Sequence, residues 1–176
     1  DFDWSEISPT IFGAIFESTL NPETRRSGGM HYTSIENIHK VIDPLFLNDL
    51  RAELDTILAI SQEKRRNLAL RDYQQRLASL RFLDPACGSG NFLTETFLSL
   101  RRLENECLKV LLNDQSALDF FDDRIFVNIH QFYGIEINDF AATVAKTALW
   151  IAESQMVNET AKILARDIDF LPLKSY

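Results

Sequence analysis

The sequence contains little cysteine and no long apolar run. Its 176 residues include two cysteines, Cys87 and Cys107, which are too few for a disulfide framework and do not have the spacing of a zinc site. No apolar stretch of about 18 residues or more predicts a membrane span, and no basic leader followed by an apolar segment indicates secretion. We therefore expect a cytoplasmic protein from a reducing compartment.

Positive charge is also scarce. Lysine and arginine number 18 against 26 aspartate and glutamate residues, so the formal net charge is −8. A free-standing DNA-binding domain usually carries a basic surface, so any contact surface for nucleic acid is expected outside this chain. The chain opens at Asp1 without methionine and ends at Tyr176, shortly after Leu171-Pro172-Leu173. We interpret it as a piece of a longer protein.

The chain does contain a strand, a glycine loop and a helix in succession. Residues 81–93 begin apolar, turn at Asp84-Pro85, pass Gly88 and Gly90, and continue into a helical pattern from Asn91. Proline cannot donate to a sheet ladder, so it ends the strand, and glycine lets a ligand approach the main chain closely. The helix start favours an anionic group, whereas Asp84 favours a cationic one. The loop is therefore matched to a zwitterion, such as an amino acid or a cofactor that carries one.

A second strand ending in an acid follows. Within residues 131–138, a buried strand is predicted to end at Glu136, and a helix is predicted over 139–155 with Phe140 facing inward. An acid at this position, beside a glycine loop, can accept two hydrogen bonds from ribose hydroxyls, and doubly wound sheets bind nucleotides at this edge. A nicotinamide-binding fingerprint fits poorly, because Leu93 stands where its third glycine would be and Glu136 lies too far along the chain.

The region before the glycine loop is predicted to be helical. Thr33-Ser34 can cap a helix, and residues 48–80 form an amphipathic pattern without glycine or proline, which fits one long helix or a helical pair. We divide a single partial domain into a helical portion over 1–80 and the start of an α/β core over 81–176. A further strand is predicted at 125–129.

These features resemble the S-adenosylmethionine-dependent DNA methyltransferases, in the form common among adenine-N6 enzymes. The string from Asp84 to Phe92 is similar to motif I, Gly29-Met30-His31-Tyr32-Thr33 is similar to motif X, and residues 133–138 are similar to motif II. The resemblance implies an α/β, Rossmann-like class I methyltransferase fold, truncated, with a helical N-terminal portion. The cofactor-binding residues that it implies are Tyr32, Thr33, Asp84, Pro85, Ala86, Gly88, Ser89, Gly90, Asn91, Phe92, Glu136, Ile137 and Asn138.

The resemblance also implies roles for individual residues. Tyr32 and Thr33 would open a helix over the methionine end of S-adenosylmethionine. Glu136 would hold the ribose, Ile137 would lie against the adenine, and Asn138, where the family often has aspartate, would flank it. The motif order, X before I before II, matches the adenine-N6 enzymes in which target recognition follows catalysis along the chain.

The order and context of the motifs narrow the resemblance to the methyltransferase region of large single-chain type II restriction–modification enzymes (type IIG and its relatives). The family's catalytic tetrad, Asn/Asp/Ser-Pro-Pro-Tyr/Phe, has no match here. Asp43-Pro44-Leu45-Phe46 lacks the second proline and lies in a helical pattern, so we interpret it as structural. The tetrad and the DNA-contacting regions are therefore expected beyond Tyr176, and the fragment alone is expected to be inactive. No catalytic or metal-binding residue is predicted within the chain.

Two other functions stay open at this stage. A related fold could methylate RNA or protein glutamine, and a domain of this kind could bind the cofactor without turnover, as a sensor or scaffold. Four other features receive structural interpretations: Cys87 as a small packed residue, Arg25-Arg26 as a solvated loop, Lys64-Arg65-Arg66 as a solvated helix face, and His31 as a packed or loop histidine.

Overall fold

The computed structural model describes residues 33–113 and 125–168, together with Pro9, and these residues are mostly helical. In chain order the elements are α1 (Ile35–Ile42), a π-helical turn (Asp43–Leu47), α2 (Asn48–Leu58), α3 (Glu63–Ser79), β1 (Phe82–Asp84), α4 (Asn91–Asn113), a 3-10 turn (Ile129–Gln131), β2 (Phe132–Gly134) and α5 (Asp139–Ile168). Among the described helices, none combines the length and the apolar character that a membrane crossing needs.

The helix α1 begins at a polar cap. Ser34 Oγ accepts a hydrogen bond from the backbone nitrogen of Asn37 at 3.3 Å, which satisfies one of the free N–H groups of the first turn. Ile38 and Ile42 are the buried residues of this helix. The cap predicted at Thr33-Ser34 is therefore present, and Ser34 provides it.

The next turn is wider than an α-helical one. Pro44 has no N–H to donate to the preceding turn, and in Asp43–Leu47 the helix takes a π-helical form in which the nitrogen of Asn48 bonds the carbonyl five residues back. The helices α2 and α3 follow as a pair, one of the two arrangements predicted for this region. Tyr73 Oη of α3 donates to the Leu50 carbonyl of α2 at 2.9 Å and so holds the pair together.

Within the described residues, two parallel strands form the sheet. Their register pairs Phe82 with Phe132, Leu83 with Tyr133 and Asp84 with Gly134. The chain passes from β1 to β2 through α4, which is the helical crossover that parallel strands require. The rings of Phe82 and Phe132 stack with their centroids 5.3 Å apart on the core side. On the other side, Leu83 and Tyr133 are exposed within the described residues.

One hydrophobic core joins the helical portion to the strands. The central helix α4 contacts α1, α3, α5 and both strands. Residues from these elements are buried together, among them Leu50, Leu54, Leu70, Tyr73, Leu77, Leu93, Phe97, Leu100, Leu103, Phe132, Ala152 and Met156. The sheet edge that carries the predicted site is therefore supported by the whole described structure.

A buried polar network ties α4 to α5. Arg101 forms an ion pair with Glu104 and donates to Thr160 Oγ1 at 2.7 Å, and Thr160 donates to Asn105 Oδ1 at 2.8 Å. Glu104 Oε1 also accepts from the Phe126 nitrogen at 2.7 Å. Burial raises the pKa of the Glu104 carboxyl, although Arg101 and the backbone donors act in the opposite direction. Buried polar groups need such partners, and this network provides them.

The prediction of a strand at 125–129 is wrong. The nitrogens of Phe126 and Val127 donate to the Glu104 carboxylate, at 2.7 and 3.2 Å, and not to a neighbouring strand. Asn128 then caps the 3-10 turn that leads into β2. A distant buried acid therefore takes the hydrogen bonds that a sheet ladder would have used.

Two other elements differ from their predicted extent. The helix predicted over 139–155 is α5, which extends to Ile168. Phe140 is 42% exposed instead of facing inward. The buried face of α5 carries small residues such as Ala145, and these allow α5 to pack closely on α4 and on the glycine loop. The strand predicted to end at Glu136 instead ends at Gly134, and one face of β2 is exposed in the described part of the chain.

Candidate functional site

The glycine loop lies at the carboxyl ends of both parallel strands. It runs from the end of β1 to the start of α4. Two further backbone bonds extend the ladder, because the Ile135 nitrogen donates to the Asp84 carbonyl at 2.9 Å and the Cys87 nitrogen donates to the Ile135 carbonyl at 3.0 Å. These bonds fix the loop against the segment after β2, so the residues of the predicted motifs I and II meet at one sheet edge.

Two glycines shape the loop for different reasons. Gly88 and Gly90 have φ of 53° and 79°, a left-handed region that favours glycine. A Cβ on Gly88 would meet nothing within 4 Å, so the loop is open on this side, as a close ligand approach requires. A Cβ on Gly90 would lie 2.8 Å from the Cβ of Ala145. Gly90 therefore permits α5 to pack against the loop, a reason that the sequence did not reveal.

Glu136 contacts the loop from the second strand. Its Oε2 accepts from the Gly88 nitrogen at 2.9 Å, and its Oε1 accepts from the Asn138 nitrogen at 2.8 Å. A carboxylate oxygen can accept two hydrogen bonds, so each oxygen can still take one more. The side chain is thus held by two backbone donors and keeps acceptor capacity for hydroxyl groups.

The other polar residues of the edge have local partners. Asp84 Oδ1 accepts from the Ala86 nitrogen at 3.0 Å, which forms the turn after β1. Asn138 Oδ1 accepts from the Phe140 nitrogen at 3.0 Å and so caps α5. Ile137, which precedes Asn138 in the chain, is 100% exposed. Asparagine and aspartate both serve well as caps, so the local structure accepts Asn138 where the related motif often has aspartate.

The start of α4 faces the loop. The Thr94 nitrogen donates to the Gly90 carbonyl at 2.9 Å, which is the first bond of the helix. The N–H groups before it have no carbonyl one turn back and carry the positive end of the helix dipole. Asn91 is 6% exposed, and its Oδ1 has no hydrogen-bond partner among the described residues. Of the other predicted residues, Pro85 and Ala86 are exposed, and Ser89 and Phe92 are half-buried.

The predicted motif X is described from its last residue onward. Tyr32 lies outside the described residues, and Thr33 is half-buried just before α1. His39 of α1 connects this helix to α4, because its Nε2 lies 3.2 Å from Glu95 Oε1 while its Nδ1 lies 2.7 Å from Asp43 Oδ1. Sequence reasoning missed this cluster. The spacing of His39 and Asp43, four residues apart in a helical pattern, was its available signal.

Cys87 is a packed residue of the loop and has no features of a nucleophile. It is half-buried, and a Cβ added to Gly134 would lie 2.6 Å from its sulfur. The thiol therefore packs closely against the end of β2. Burial raises the pKa of the thiol, and the charges of Asp84 and Glu136 raise it further. The edge therefore offers carboxylates for hydroxyl or ammonium groups and backbone N–H groups for an anion.

Known proteins similar to this chain are DNA methyltransferases and restriction–modification proteins. A family model described as MmeI, DNA-methyltransferase domain, matches residues 59–176. The chain is 44% identical over 158 residues to DNA methyltransferase A of Bacillus subtilis (strain 168), a match that covers 89% of this chain and 17% of that protein. It is 27% identical over 168 residues to a putative type II restriction enzyme and methyltransferase of Methanocaldococcus jannaschii, covering 84% of this chain and 14% of that protein.

A solved structure is also similar. It is that of the type IIL restriction–modification enzyme MmeI in complex with DNA, with a TM-score of 0.82 and 42% sequence identity. The match covers 99% of this chain and 22% of the MmeI chain. The chain thus spans less than a quarter of each of these relatives.

Proposed function

Because this chain belongs to the family of the MmeI DNA-methyltransferase domain, as its motifs predicted, we propose that the intact protein transfers a methyl group from S-adenosylmethionine to N6 of adenine in a specific DNA sequence. The observation that carries the proposal is the contact of the Glu136 carboxylate with the Gly88 nitrogen at the carboxyl edge of the sheet. Open α/β sheets bind nucleotides at such edges. The relatives named as DNA methyltransferases and restriction–modification enzymes support the reaction and the substrate class.

The proposed fold is a Rossmann-like class I methyltransferase domain of which this chain is the first part. Residues 1–80 would be its helical N-terminal portion, and residues 81–176 would begin its α/β core. The elements β1, α4, β2 and α5 have the strand–helix–strand–helix order with which a doubly wound sheet begins. The remaining strands would pair side by side with β1 and β2. They would belong to parts of the protein outside this chain.

The residues of the edge fit a nucleoside that carries an amino acid. Glu136 would accept hydrogen bonds from the two ribose hydroxyls with its remaining acceptor positions. Asp84 would bind the ammonium group, and the first N–H groups of α4 would bind the carboxylate. Two features support this fit: the open side of Gly88 and the unpaired, buried Oδ1 of Asn91, which is an acceptor without a partner in the described structure.

The other predicted residues would complete the cofactor site. Ile137, fully exposed at present, would lie against the adenine, and Asn138 would flank it. Tyr32 and Thr33 would cover the methionine end. The remaining residues of the loop would shape the walls around the bound molecule: Pro85, Ala86, Ser89, Gly90 and Phe92.

Catalysis would need more than these residues. S-adenosylmethionine would supply a methyl group that its sulfonium makes electrophilic. The residues of this chain would bind and orient it, while the tetrad that grips the adenine amine and the surface that contacts DNA would lie beyond Tyr176. The fragment alone would then be inactive, and the complete protein would act in the cytoplasm as part of a restriction–modification system.

The test uses the full-length enzyme that contains this chain. The enzyme is incubated with plasmid DNA and S-adenosylmethionine labelled in its methyl group, and the digested nucleosides are analysed by mass spectrometry. We expect label in N6-methyldeoxyadenosine within one sequence context, and much less label at the same low cofactor concentration when Glu136→Ala removes the ribose acceptor. Asp139→Asn, which removes one charge three residues away, should keep the activity. Label in 5-methyldeoxycytidine, or in RNA or protein supplied in place of DNA, would contradict the assignment.

A further inference from the structure

A charged cluster joins the helix after Thr33 to the helix after the glycine loop. His39 Nδ1 lies 2.7 Å from Asp43 Oδ1, and His39 Nε2 lies 3.2 Å from Glu95 Oε1. The same oxygen of Glu95 lies 3.4 Å from Arg102 Nη1. Glu95 is 2% exposed, whereas Arg102 is largely exposed. His39 therefore lies between two carboxylates, one at the end of its own helix and one on α4.

With both carboxylates ionised, a charged histidine satisfies the geometry of this cluster. An ionised carboxylate only accepts hydrogen bonds, and a neutral imidazole has a single N–H, so both ring nitrogens can donate only in the imidazolium form. The other charged groups on α1, Glu36 and Lys40, pair with each other at 2.9 Å on the exposed side. Among the described residues, Glu95 without His39 would keep the longer contact to Arg102, and a poorly paired buried carboxylate is costly.

The cluster lies near the starts of two helices, one that follows Thr33 and one that follows the glycine loop. His39 is four residues into α1, which begins at Ile35, and Glu95 is four residues into α4, which begins at Asn91. The link is therefore about one helical turn from the first residue of each helix. A change in this link would alter the spacing between the two.

We infer that His39 is a positioning residue for cofactor binding: its imidazolium joins α1 to α4 and holds Thr33 and the glycine loop at the spacing that S-adenosylmethionine requires. The inference rests on the proposed function of the loop. Its consequence is a cofactor affinity that falls when His39 loses its proton, because one of the two carboxylates then faces a ring nitrogen that cannot donate.

The pH range of this effect follows from the surroundings of His39. Burial alone lowers the pKa of His39, but the hydrogen bonds and charges of Asp43 and Glu95 outweigh it and raise the pKa above the usual 6.5. A group with a raised pKa contributes its full stabilisation below its ordinary pKa and loses it as the pH rises through the raised value. The link is thus expected to weaken as the pH rises through a value above 6.5.

The experiment measures the dissociation constant of S-adenosylmethionine for the full-length enzyme by calorimetry, from about pH 6 to about pH 9, across the range in which histidine titrates. It compares wild type with His39→Gln, which can donate to one carboxylate but never carries charge. The control is His130→Gln, which changes an exposed histidine in the turn before β2. The cofactor's own amino group titrates in this range, so the ratio of variant to wild type is taken at each pH.

We expect His39→Gln to bind roughly fivefold more weakly than wild type at the acid end, a typical coupling between sites, and the ratio to approach one at the alkaline end. The His130→Gln ratio should stay at one throughout. A ratio of one for His39→Gln at every pH, or a constant ratio without pH dependence, would overturn the inference while leaving the proposed function intact. Absence of S-adenosylmethionine binding by wild type at every pH would overturn both.

Discussion

Glu136 Oε2 lies 2.9 Å from the Gly88 nitrogen, although the two residues are 48 positions apart in the sequence. The contact joins the segment after β2 to the loop after β1. Because a second backbone donor, the nitrogen of Asn138, holds the other oxygen at 2.8 Å, the carboxylate is fixed before any ligand arrives. A preorganised acceptor loses less entropy on binding than a mobile one.

The first prediction concerns this carboxylate. We expect Glu136→Ala to weaken S-adenosylmethionine binding about 10- to 100-fold, because a hydrogen bond to a charged group contributes about 1.5–3 kcal/mol. Calorimetric titration of the full-length enzyme measures the change.

The matched control for this prediction is Asp139→Asn, which removes the same formal charge from an exposed residue at the start of α5. It should leave the affinity unchanged, and NADH should bind to neither protein. Equal affinity of wild type and Glu136→Ala, or saturable binding of NADH, would show that the edge does not hold the ribose of S-adenosylmethionine.

The second prediction separates the two glycines of the loop. In Gly90→Ala the new Cβ would lie 2.8 Å from the Ala145 Cβ, at a φ of 79°. The energetic cost of the left-handed backbone and the cost of overpacking are additive. We therefore expect the free energy of unfolding to fall by about 2–5 kcal/mol. Urea unfolding measures it.

Gly88→Ala is the matched variant, because its φ of 53° is also left-handed but its Cβ would meet nothing within 4 Å. It should cost only about 1–2 kcal/mol of stability, and its main effect should be weaker cofactor binding. Ala145→Gly should recover part of the Gly90→Ala loss in a double-mutant cycle. Equal stability losses for the two alanine variants, with no recovery by Ala145→Gly, would show that packing against α5 is not the reason for Gly90.

Much of the site edge was predictable from local sequence. Asp84-Pro85 and the glycines predicted the strand, the loop and the start of α4, and the second strand was predicted with its end two residues too late, at Glu136 instead of Gly134. Those features depend on backbone rules that act within a few residues: proline cannot donate, and glycine reaches positive φ. The cap at Ser34 was predictable for the same reason.

The remaining features depend on contacts between distant residues. The segment 125–129 has strand-like composition, but the buried Glu104 takes its N–H groups. The link between His39 and Glu95 spans 56 positions, and the contact of Gly90 with Ala145 spans two elements. Neither the spacing of apolar residues nor secondary-structure propensity encodes such pairings. They became visible only in the structure.

The third prediction concerns the buried polar network. Glu104 is 0% exposed, is paired with Arg101 and accepts the Phe126 nitrogen. Glu104→Gln removes the charge that balances Arg101, and breaking a buried ion pair in this way typically costs about 3–5 kcal/mol. Urea unfolding should show this loss. Glu159→Gln, the same exchange on α5, keeps an acceptor for Asn105 and should change stability by less than about 0.5 kcal/mol. Similar losses for both variants would contradict a special role of the buried pair.

The fourth prediction concerns the reactivity of Cys87. Burial and the carboxylates of Asp84 and Glu136 raise the pKa of its thiol above the ordinary 9.0. The thiolate is the reactive form, so alkylation by iodoacetamide should be slow at neutral pH and should reach half its maximal rate only above pH 9.0. Mass spectrometry of the peptides follows the modification over a pH series.

Two variants and the second cysteine test the cause of this slow alkylation. Glu136→Ala removes one of the two nearby charges, so the half-maximal rate should move to lower pH, whereas Asp139→Asn should not move it. Burial raises the pKa of Cys107 to about 12, so this thiol should stay unmodified until the protein unfolds. Half-maximal alkylation of Cys87 below pH 9.0 in the wild type would mean that the loop activates the thiol, and its interpretation as a packed residue would then be wrong.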